Sequence, residues 1–155
     1  MNLRTALLVA RVVTLCCSPA AVSMAAAAAS PAPTLIRLET GPLDTPTPMT
    51  EATDACVARV NAGDFDAATP ACDSAVSIAR RSREEPGSVL FTARSADENL
   101  AIAYNNRAVL HYVTRRLALA KSDAKQAMSA SRLTAIASTA AAIEAALQRV
   151  ANADD

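Results

Sequence analysis

The feature that most constrains the fold of this chain is a spacing of small residues that occurs twice. Intervals of 12 and then 7 residues separate the members of two sets: Cys56, Ala68 and Ala75, and later Ala108, Ala120 and Ala127. Around both sets, apolar residues recur three and four positions apart, which is the period of a helix with one buried face. Small side chains at matched points allow two antiparallel helices to approach closely. The spacing therefore predicts two helical hairpins.

The composition favours a fold built from helices alone. Aromatic residues make up 3% of the 155 residues, and alanine is abundant. Alanine has the highest intrinsic helix propensity, whereas strands favour aromatic and β-branched side chains. A chain of this length has room for one domain with a modest core. We therefore expect an all-α domain over residues 49–152.

The first hairpin is bounded by helix-start and helix-stop signals. Its first helix is expected to begin near Thr47 or Thr50, with Thr47 as the cap and Pro48 in the first turn, where a missing N–H costs nothing. Gly63 is expected to end this helix, since glycine adopts the left-handed conformation that helix ends require.

The second helix is predicted over about residues 66–83, with Asp64 or Asp66 as its cap. Pro70 is tolerable only in the first turn, because inside a helix it removes a backbone hydrogen bond and clashes one turn back. We therefore expect the helix to start near Asp66 rather than to restart at Thr69.

Three further helices follow in the sequence. The third is expected to start with Ser95 or Asp97 as its cap and to run to about Arg115. The fourth is predicted over about residues 117–131, and the last over about residues 133–151. The two hairpins are expected to stack on each other, and the last helix is expected to cap the open end of that stack.

Apolar residues recur with a helical period in the last two helices. Leu119 and Met128 accompany the alanines of the fourth helix, and Ile136, Ile143 and Val150 fall on one stripe of the fifth. This period supports the prediction of both helices.

The N-terminal segment, residues 1–30, has the pattern of a cleaved secretory signal peptide. Arg4 precedes an apolar run over about residues 6–17, and a tract of small residues ends at Ala29. The rival interpretation is a membrane anchor, but Pro19 follows too soon for the ~20 apolar residues that a span needs. Together with a high ratio of arginine to lysine, the pattern predicts a bacterial protein of the periplasm or one that is secreted.

Residues 31–48 are predicted to be a linker rich in proline and threonine. The segment holds five prolines: Pro31, Pro33, Pro42, Pro46 and Pro48. Such a density forbids a helix and favours extended geometry. An apolar patch at residues 35–38 has two interpretations, a segment docked on the domain or part of a disordered tether, and we take the tether as the expectation.

Cys56 and Cys72 remain after removal of the predicted signal peptide and fall on the two facing helices of the first hairpin. In an oxidising compartment this arrangement predicts a structural disulfide. The alternatives are two buried thiols or a zinc site, and the zinc site lacks further ligands. A redox pair would have the closer C-x-x-C spacing. No metal or cofactor motif is present, so we expect neither.

His111 is the only histidine in the chain. No serine, cysteine or carboxylate has a spacing that marks it as a catalytic partner, so we expect a packed side chain and no enzymatic activity. The chain has 15 basic and 15 acidic residues and a formal charge of zero. This balance gives no reason to expect a nucleic-acid partner.

The two hairpins resemble the tetratricopeptide repeat (TPR) family over about residues 51–131. Signature places of that family are occupied in the second hairpin by Tyr104, Arg107, Ala108, His111, Ala120, Ala124 and Ala127. In the first hairpin, Gly63, Asp64 and Phe65 match the usual turn of the family. The resemblance implies antiparallel hairpins stacked as an irregular TPR-like array, with the last helix as a cap.

The chain departs from the family pattern in three ways. Equivalent positions of the two units, such as Ala68 and Ala120, lie much further apart in the sequence than the family period of about 34. The second turn, at Arg115, Arg116 and Leu117, has no glycine, and no proline ends the unit at Arg132.

The resemblance also implies a function and a site. Members of the family bind peptide segments or partner proteins along the concave surface of their first helices. Here that surface would include Ile102, Asn105, Asn106, Val109, Tyr112 and Val113. Asn106 matches an asparagine that holds a ligand carboxylate in some members. Such a clamp also needs basic residues from neighbouring helices, and here the first helix offers only Arg59 and the last helix none at a matching place, so we do not expect a clamp.

The expected function is therefore non-enzymatic binding of a protein or peptide in the bacterial cell envelope, as a scaffold or adaptor. A first alternative is a self-assembling helical structural protein that uses the alanine-rich last helix as its interface, in which case the chain would form homo-oligomers. A second is a small envelope hydrolase or an enzyme subunit, which would require a deep polar pocket near His111. No stable membrane span is expected after cleavage of the signal peptide.

Overall fold

The computed structural model describes residues 32–38, 45–84 and 93–153. Within these ranges the chain forms five helices and no strand, as predicted for an all-α protein. The helices are α1 (Pro48–Asn61), α2 (Phe65–Glu84), α3 (Ala93–Val113), α4 (Leu117–Ala130) and α5 (Thr134–Ala151). The predicted signal peptide, residues 39–44 of the predicted linker and residues 85–92 lie outside the described residues.

Helix α3 is the centre of the fold, because it contacts each of the other four helices. Consecutive helices pack on one another, and α1 and α5 also pack against α3. Helices α1 and α5 therefore both pack on α3 without contacting each other. This central position explains why nearly every residue from Leu100 to Leu110 is buried.

The start of α1 and the first turn follow the predictions from the sequence. Thr47 caps α1 by accepting a hydrogen bond from the backbone N–H of Thr50 at 3.2 Å, with Pro48 as the first helical residue. Gly63 has a φ of +72°, in the left-handed region. Asp64 then caps α2 by accepting a hydrogen bond at its Oδ1 from the N–H of Ala67 at 3.3 Å.

The second turn repeats the first without a glycine. In the first turn, the N–H of Gly63 donates to the carbonyl of Val60, and that of Asp64 donates to Arg59. The equivalent positions of the second turn make the same bonds: Arg115 to Tyr112 and Arg116 to His111. Arg115 has a φ of +62°, so it adopts the left-handed conformation that Gly63 adopts in the first turn. A side chain in this region is strained, since its Cβ approaches the following carbonyl oxygen.

The start of α2 lies within one residue of the prediction, but the position of Pro70 and the start of α3 differ from what the sequence predicted. Helix α2 is unbroken from Phe65, which places Pro70 in its second turn instead of its first. Pro70 and Asp66 are both exposed, so water can solvate the carbonyl that the missing N–H leaves free. Helix α3 begins at Ala93, so Ser95 and Asp97 are inside the helix and do not cap it. Alanine and arginine, which occupy its first two positions, have high helix propensity and extend the helix past the predicted caps.

The large apolar residues of the last two helices differ widely in burial. Ile136 and Ile143 lie in the core, but Leu119 is 51% exposed, and Met128 and Val150 are each 49% exposed. Alanines form the contact instead, since Ala120 and Ala127 of α4 are fully buried. The close approach that alanine permits leaves the larger neighbours outside the interface.

The predicted disulfide joins α1 to α2. Cys56 and Cys72 are fully buried, and their sulfur atoms lie 2.03 Å apart with a Cα–Cα distance of 4.7 Å. They lie in a core cluster with Val60, Val109 and Leu110. The cross-link therefore ties the first hairpin together at the place where it meets α3.

Candidate functional site

Two buried amide side chains lie in the middle of α3. Asn105 and Asn106 are each 1% exposed, although most of their neighbours along α3 are apolar. Burying an amide without hydrogen-bond partners is unfavourable by a few kcal/mol, so such groups are nearly always paired. The partners of these two amides identify the site.

Asn106 binds the main chain of an extended segment, residues 32–38. Its Oδ1 accepts a hydrogen bond from the N–H of Ile36 at 2.8 Å, and its Nδ2 donates to the carbonyl of Ile36 at 2.7 Å. This reciprocal pair satisfies both main-chain groups of one residue, as a neighbouring strand does in a sheet.

Asn105 and helix α5 bind the same segment at Thr34, two residues before Ile36. The Nδ2 of Asn105 donates to the carbonyl of Thr34 at 2.8 Å, and the N–H of Thr34 donates to Oγ1 of Thr139 at 3.1 Å. The segment therefore crosses from α5 over α3 towards the start of α1. Of the two interpretations of the apolar patch at residues 35–38, the structure has the docked one and not the tether that we expected.

Side chains of the segment add apolar contacts to the main-chain bonds. Leu35 packs on the cluster that contains the disulfide. Ile36 and Leu38 pack on the neighbouring cluster, which includes Met49 of α1. Thr34 and Arg37 are exposed. The domain thus accepts an extended peptide with its backbone clasped by amides and three of its side chains half-buried.

The residues predicted to line a concave surface have three different environments. Four are buried: Ile102, Asn105, Asn106 and Val109. Tyr112 is half-buried, and Val113 is 39% exposed. Of the six, the two asparagines hydrogen-bond the docked segment. The contacts of residues 35–38 were hidden from sequence reasoning, because an apolar patch among prolines does not specify its partner.

An open trough lies beside the docked segment, at the C-terminal ends of three helices. One part has a volume of about 570 Å³ and is lined by Leu35 and by residues of α1 and α3, among them Val57 and Val109. The other part, between α3 and α5, has a volume of about 460 Å³. Val113 lines both parts, so it lies between them.

Arg107 forms a second polar group on the side of α3 that faces α2 and α4. Its Nε and Nη2 donate to the two carboxylate oxygens of Asp123 at 2.7 and 2.9 Å, and Nη1 donates to Asp73 at 2.8 Å. The hydrogen bonds to Asp123 raise the pKa of Arg107 above its usual value, against the effect of burial. The sequence marked Arg107 but gave no signal for Asp123 as its partner.

His111 lies at the edge of this ion-pair network. Its Nε2 is 3.6 Å from Oδ2 of Asp123, and its Nδ1 finds no hydrogen-bond partner among the described residues. Burial lowers the pKa of His111 below its usual value of 6.5, although the charge of Asp123 opposes this shift. At neutral pH the imidazole is therefore uncharged, beside a carboxylate that Arg107 already binds through both oxygens.

The described residues show neither a metal-binding group nor a membrane-spanning helix. Within the described ranges, no group of three or more histidine, cysteine, aspartate or glutamate residues is placed to hold a metal ion. Among the described helices, none combines the length and apolar character that crossing a membrane requires. Comparisons of the chain with family models, with curated proteins and with solved structures found no match.

Proposed function

We propose that this chain is a non-enzymatic module that binds a protein or peptide in the bacterial cell envelope. The observation that carries the proposal is the docked segment at residues 32–38. The α3 surface holds this extended peptide through the amides of Asn105 and Asn106. A surface that clasps one extended segment has the chemistry to clasp another.

Recognition through the main chain suits a peptide ligand. Hydrogen bonds to backbone N–H and C=O groups supply affinity whatever the sequence, and pockets for side chains supply specificity. Here the segment leaves its Thr34 and Arg37 side chains exposed, while Leu35, Ile36 and Leu38 pack on the helices. The preferred ligand is therefore an extended segment with apolar residues at the first, second and fourth places.

Two features support a TPR-like arrangement of the helices. The α1–α2 and α3–α4 turns make the same backbone hydrogen bonds at equivalent positions. Helices α1 and α5 both contact α3 and not each other, as expected if α1, α3 and α5 were successive first helices of such an array. The α3 surface would then belong to the concave, ligand-binding side.

The surroundings of His111 support binding in preference to catalysis. The hydrolase alternative requires a polar pocket beside this histidine, and His111 lines neither part of the trough. Its neighbour Asp123 is bound by Arg107 through both carboxylate oxygens, so this carboxylate is not free to orient a catalytic imidazole. We therefore assign this group of residues to structure.

Photo-crosslinking in living cells tests the proposed binding. A photoreactive amino acid replaces Val113, which is 39% exposed in the trough, and in a matched strain it replaces Met128, which is 49% exposed on α4. We expect a discrete covalent adduct with a partner protein at position 113 and none at 128. Absence of any adduct at 113, or the same adducts at both positions, would contradict the proposal.

The proposed envelope location is tested by intact mass. A buried disulfide between Cys56 and Cys72 suits an oxidising compartment. Protein recovered from the periplasm is weighed before and after reduction and thiol alkylation. We expect loss of a segment of about 25 to 30 residues from the N-terminus, as the signal pattern requires, and two thiols that react only after reduction. A full-length chain with free thiols would place the protein in the cytoplasm.

A further inference from the structure

The part of the trough between α3 and α5 has an apolar floor that the protein leaves open. Val113, Leu117 and Val150 line it, and Val113 and Val150 are 39% and 49% exposed. Its volume of about 460 Å³ lies within the range of roughly 300–1,000 Å³ that is usual for ligand sites. The docked segment at residues 32–38 does not reach this part, since none of its residues lines it.

The charged residues that line this part are both arginines. Arg115, from the turn after α3, and Arg149, from the last turn of α5, lie on it, and none of the described acidic residues does. Neither arginine forms an ion pair within the described part of the chain. An apolar floor with two cations complements a ligand that is apolar and acidic.

The backbone at Arg115 is a separate observation that points to the same place. Arg115 has a φ of +62°, although the equivalent turn position earlier in the chain is Gly63, at +72°. A residue other than glycine is strained in this conformation. Strained residues cluster where a side chain has a function that outweighs the strain. Here the strained residue is one of the two cations of the trough.

We propose that the α3–α5 part of the trough binds an acidic, apolar peptide segment of a partner protein. Apolar side chains of the segment pack on Val113 and Val150, and its carboxylates accept hydrogen bonds from Arg115 and Arg149. This inference goes beyond the proposed function, because it assigns a second site next to the α3 surface that holds residues 32–38 and gives the chemical class of its ligand. A peptide can occupy this site while residues 32–38 remain docked on α3.

Peptide selection on the wild-type protein tests this inference. Random decapeptides are displayed and selected on the wild-type protein, and the enriched peptides are measured by fluorescence anisotropy. The test variant combines Arg115→Gly with Arg149→Gln, and it removes both cations while relieving the strain of the turn. The matched control is Arg132→Gln, which removes a charge outside the trough.

We expect the enriched peptides to place aspartate or glutamate close to leucine, isoleucine, valine or phenylalanine. They should bind the double variant about tenfold more weakly, as loss of charge-assisted hydrogen bonds predicts. Binding to the Arg132→Gln protein should match wild type. Circular dichroism should show an unchanged helical content in the double variant, so that weaker binding reports the lost cations and not unfolding.

Other outcomes would overturn the inference in distinguishable ways. Neutral or basic peptides that bind the double variant normally but not Asn106→Ala would leave the proposed function standing and remove this ligand class. Failure to enrich any peptide would remove both. Binding of dodecanoate, with no peptide enriched, would replace the peptide with a free amphiphile. Self-association of the wild type that the double variant abolishes would identify the occupant as a second copy of the chain.

Discussion

The two hairpins of this protein share a backbone pattern but are held together by different forces. Their turns make the same hydrogen bonds at equivalent positions. Cys56 and Cys72 join α1 to α2 covalently across a sequence separation of 16. Arg107 and Asp123 join α3 to α4 by an ion pair across the same separation of 16. The same kind of helical hairpin is therefore held by a covalent bond in one case and by an ion pair in the other.

The difference matters because the two links act on different states of the chain. A disulfide stabilises chiefly by restricting the unfolded chain. A buried ion pair acts in the folded state, where the attraction must offset the loss of hydration of both charges. The first hairpin should therefore be sensitive to reductant, and the second to removal of a single charge.

The largest expected effect is on the disulfide. Cys56→Ala combined with Cys72→Ala should lower the free energy of unfolding by about 3 kcal/mol, the value for closing a loop of this size. Urea denaturation of the oxidised wild type and the double variant measures the difference. The control is reductant, which should destabilise the wild type and leave the variant unchanged. A loss below about 1 kcal/mol would contradict the loop-closure explanation.

The next largest effect is expected from removing Asp123, whose ion pair with Arg107 links α3 to α4. Asp123→Ala should destabilise the fold by about 2–3 kcal/mol, because it leaves the guanidinium of Arg107 partly buried without its main partner. Asp73→Ala is the matched control, since the Asp73 side chain is 55% exposed and exposed pairs contribute up to about 1 kcal/mol. Urea denaturation at pH 7 gives both values. Equal losses would show that the burial of Asp123 is not what matters.

The residues at positive φ in the two turns, Gly63 and Arg115, should have opposite effects on stability when they are substituted. Gly63→Ala should destabilise by about 1 kcal/mol, and Arg115→Gly should stabilise by about 0.5–1 kcal/mol, since only glycine is unstrained at positive φ. A Cβ at Gly63 would meet no atom within 4 Å, so its effect is conformational. Thermal unfolding measures both.

The control for the turn exchange is Ala62→Gly. Ala62 has a φ of −76°, where glycine offers no relief of strain and adds freedom to the unfolded chain. This substitution should destabilise. Destabilisation by Arg115→Gly as well would mean that contacts of the arginine outweigh its backbone strain.

The smallest expected effect is the pH dependence from His111. Burial lowers its pKa in the folded state below 6.5, while the unfolded chain keeps a value of about 6.5. Above that value the imidazole is neutral in both states, and its contribution to stability is complete. As the pH falls below it, the unfolded chain binds the proton first, so stability decreases.

Free energies of unfolding at two pH values, one above neutrality and one near pH 5, check this sign. The wild type should lose more stability between the two values than His111→Gln, which has no group that titrates there. The charge of Asp123 favours the protonated imidazole, and those of Arg107 and Arg116 oppose it. An equal loss in both proteins would mean that the carboxylates alone set the acid dependence.

The sequence predicted the framework of the fold because its signals are local. Thr47, Pro48 and Gly63 marked the ends of α1, and the spacing of small residues placed Cys56 opposite Cys72. The half-exposed side chain of Leu119 could not be predicted, because a helical period indicates which face a residue lies on but not how deeply that face is buried. The start of α3 at Ala93 was missed because serine and aspartate, which favour caps, are also tolerated inside helices.

By itself, the sequence determined the all-α class, the first hairpin and its turn, and the pairing of two cysteines, because caps, helical period and residue spacing act over neighbouring positions. Only the tertiary structure decided that residues 32–38 lie across α3, that Asp123 pairs with Arg107, and that Arg115 and Arg149 meet at one trough. Those contacts join residues distant in the chain, and they depend on how closely whole helices approach, which no local pattern specifies.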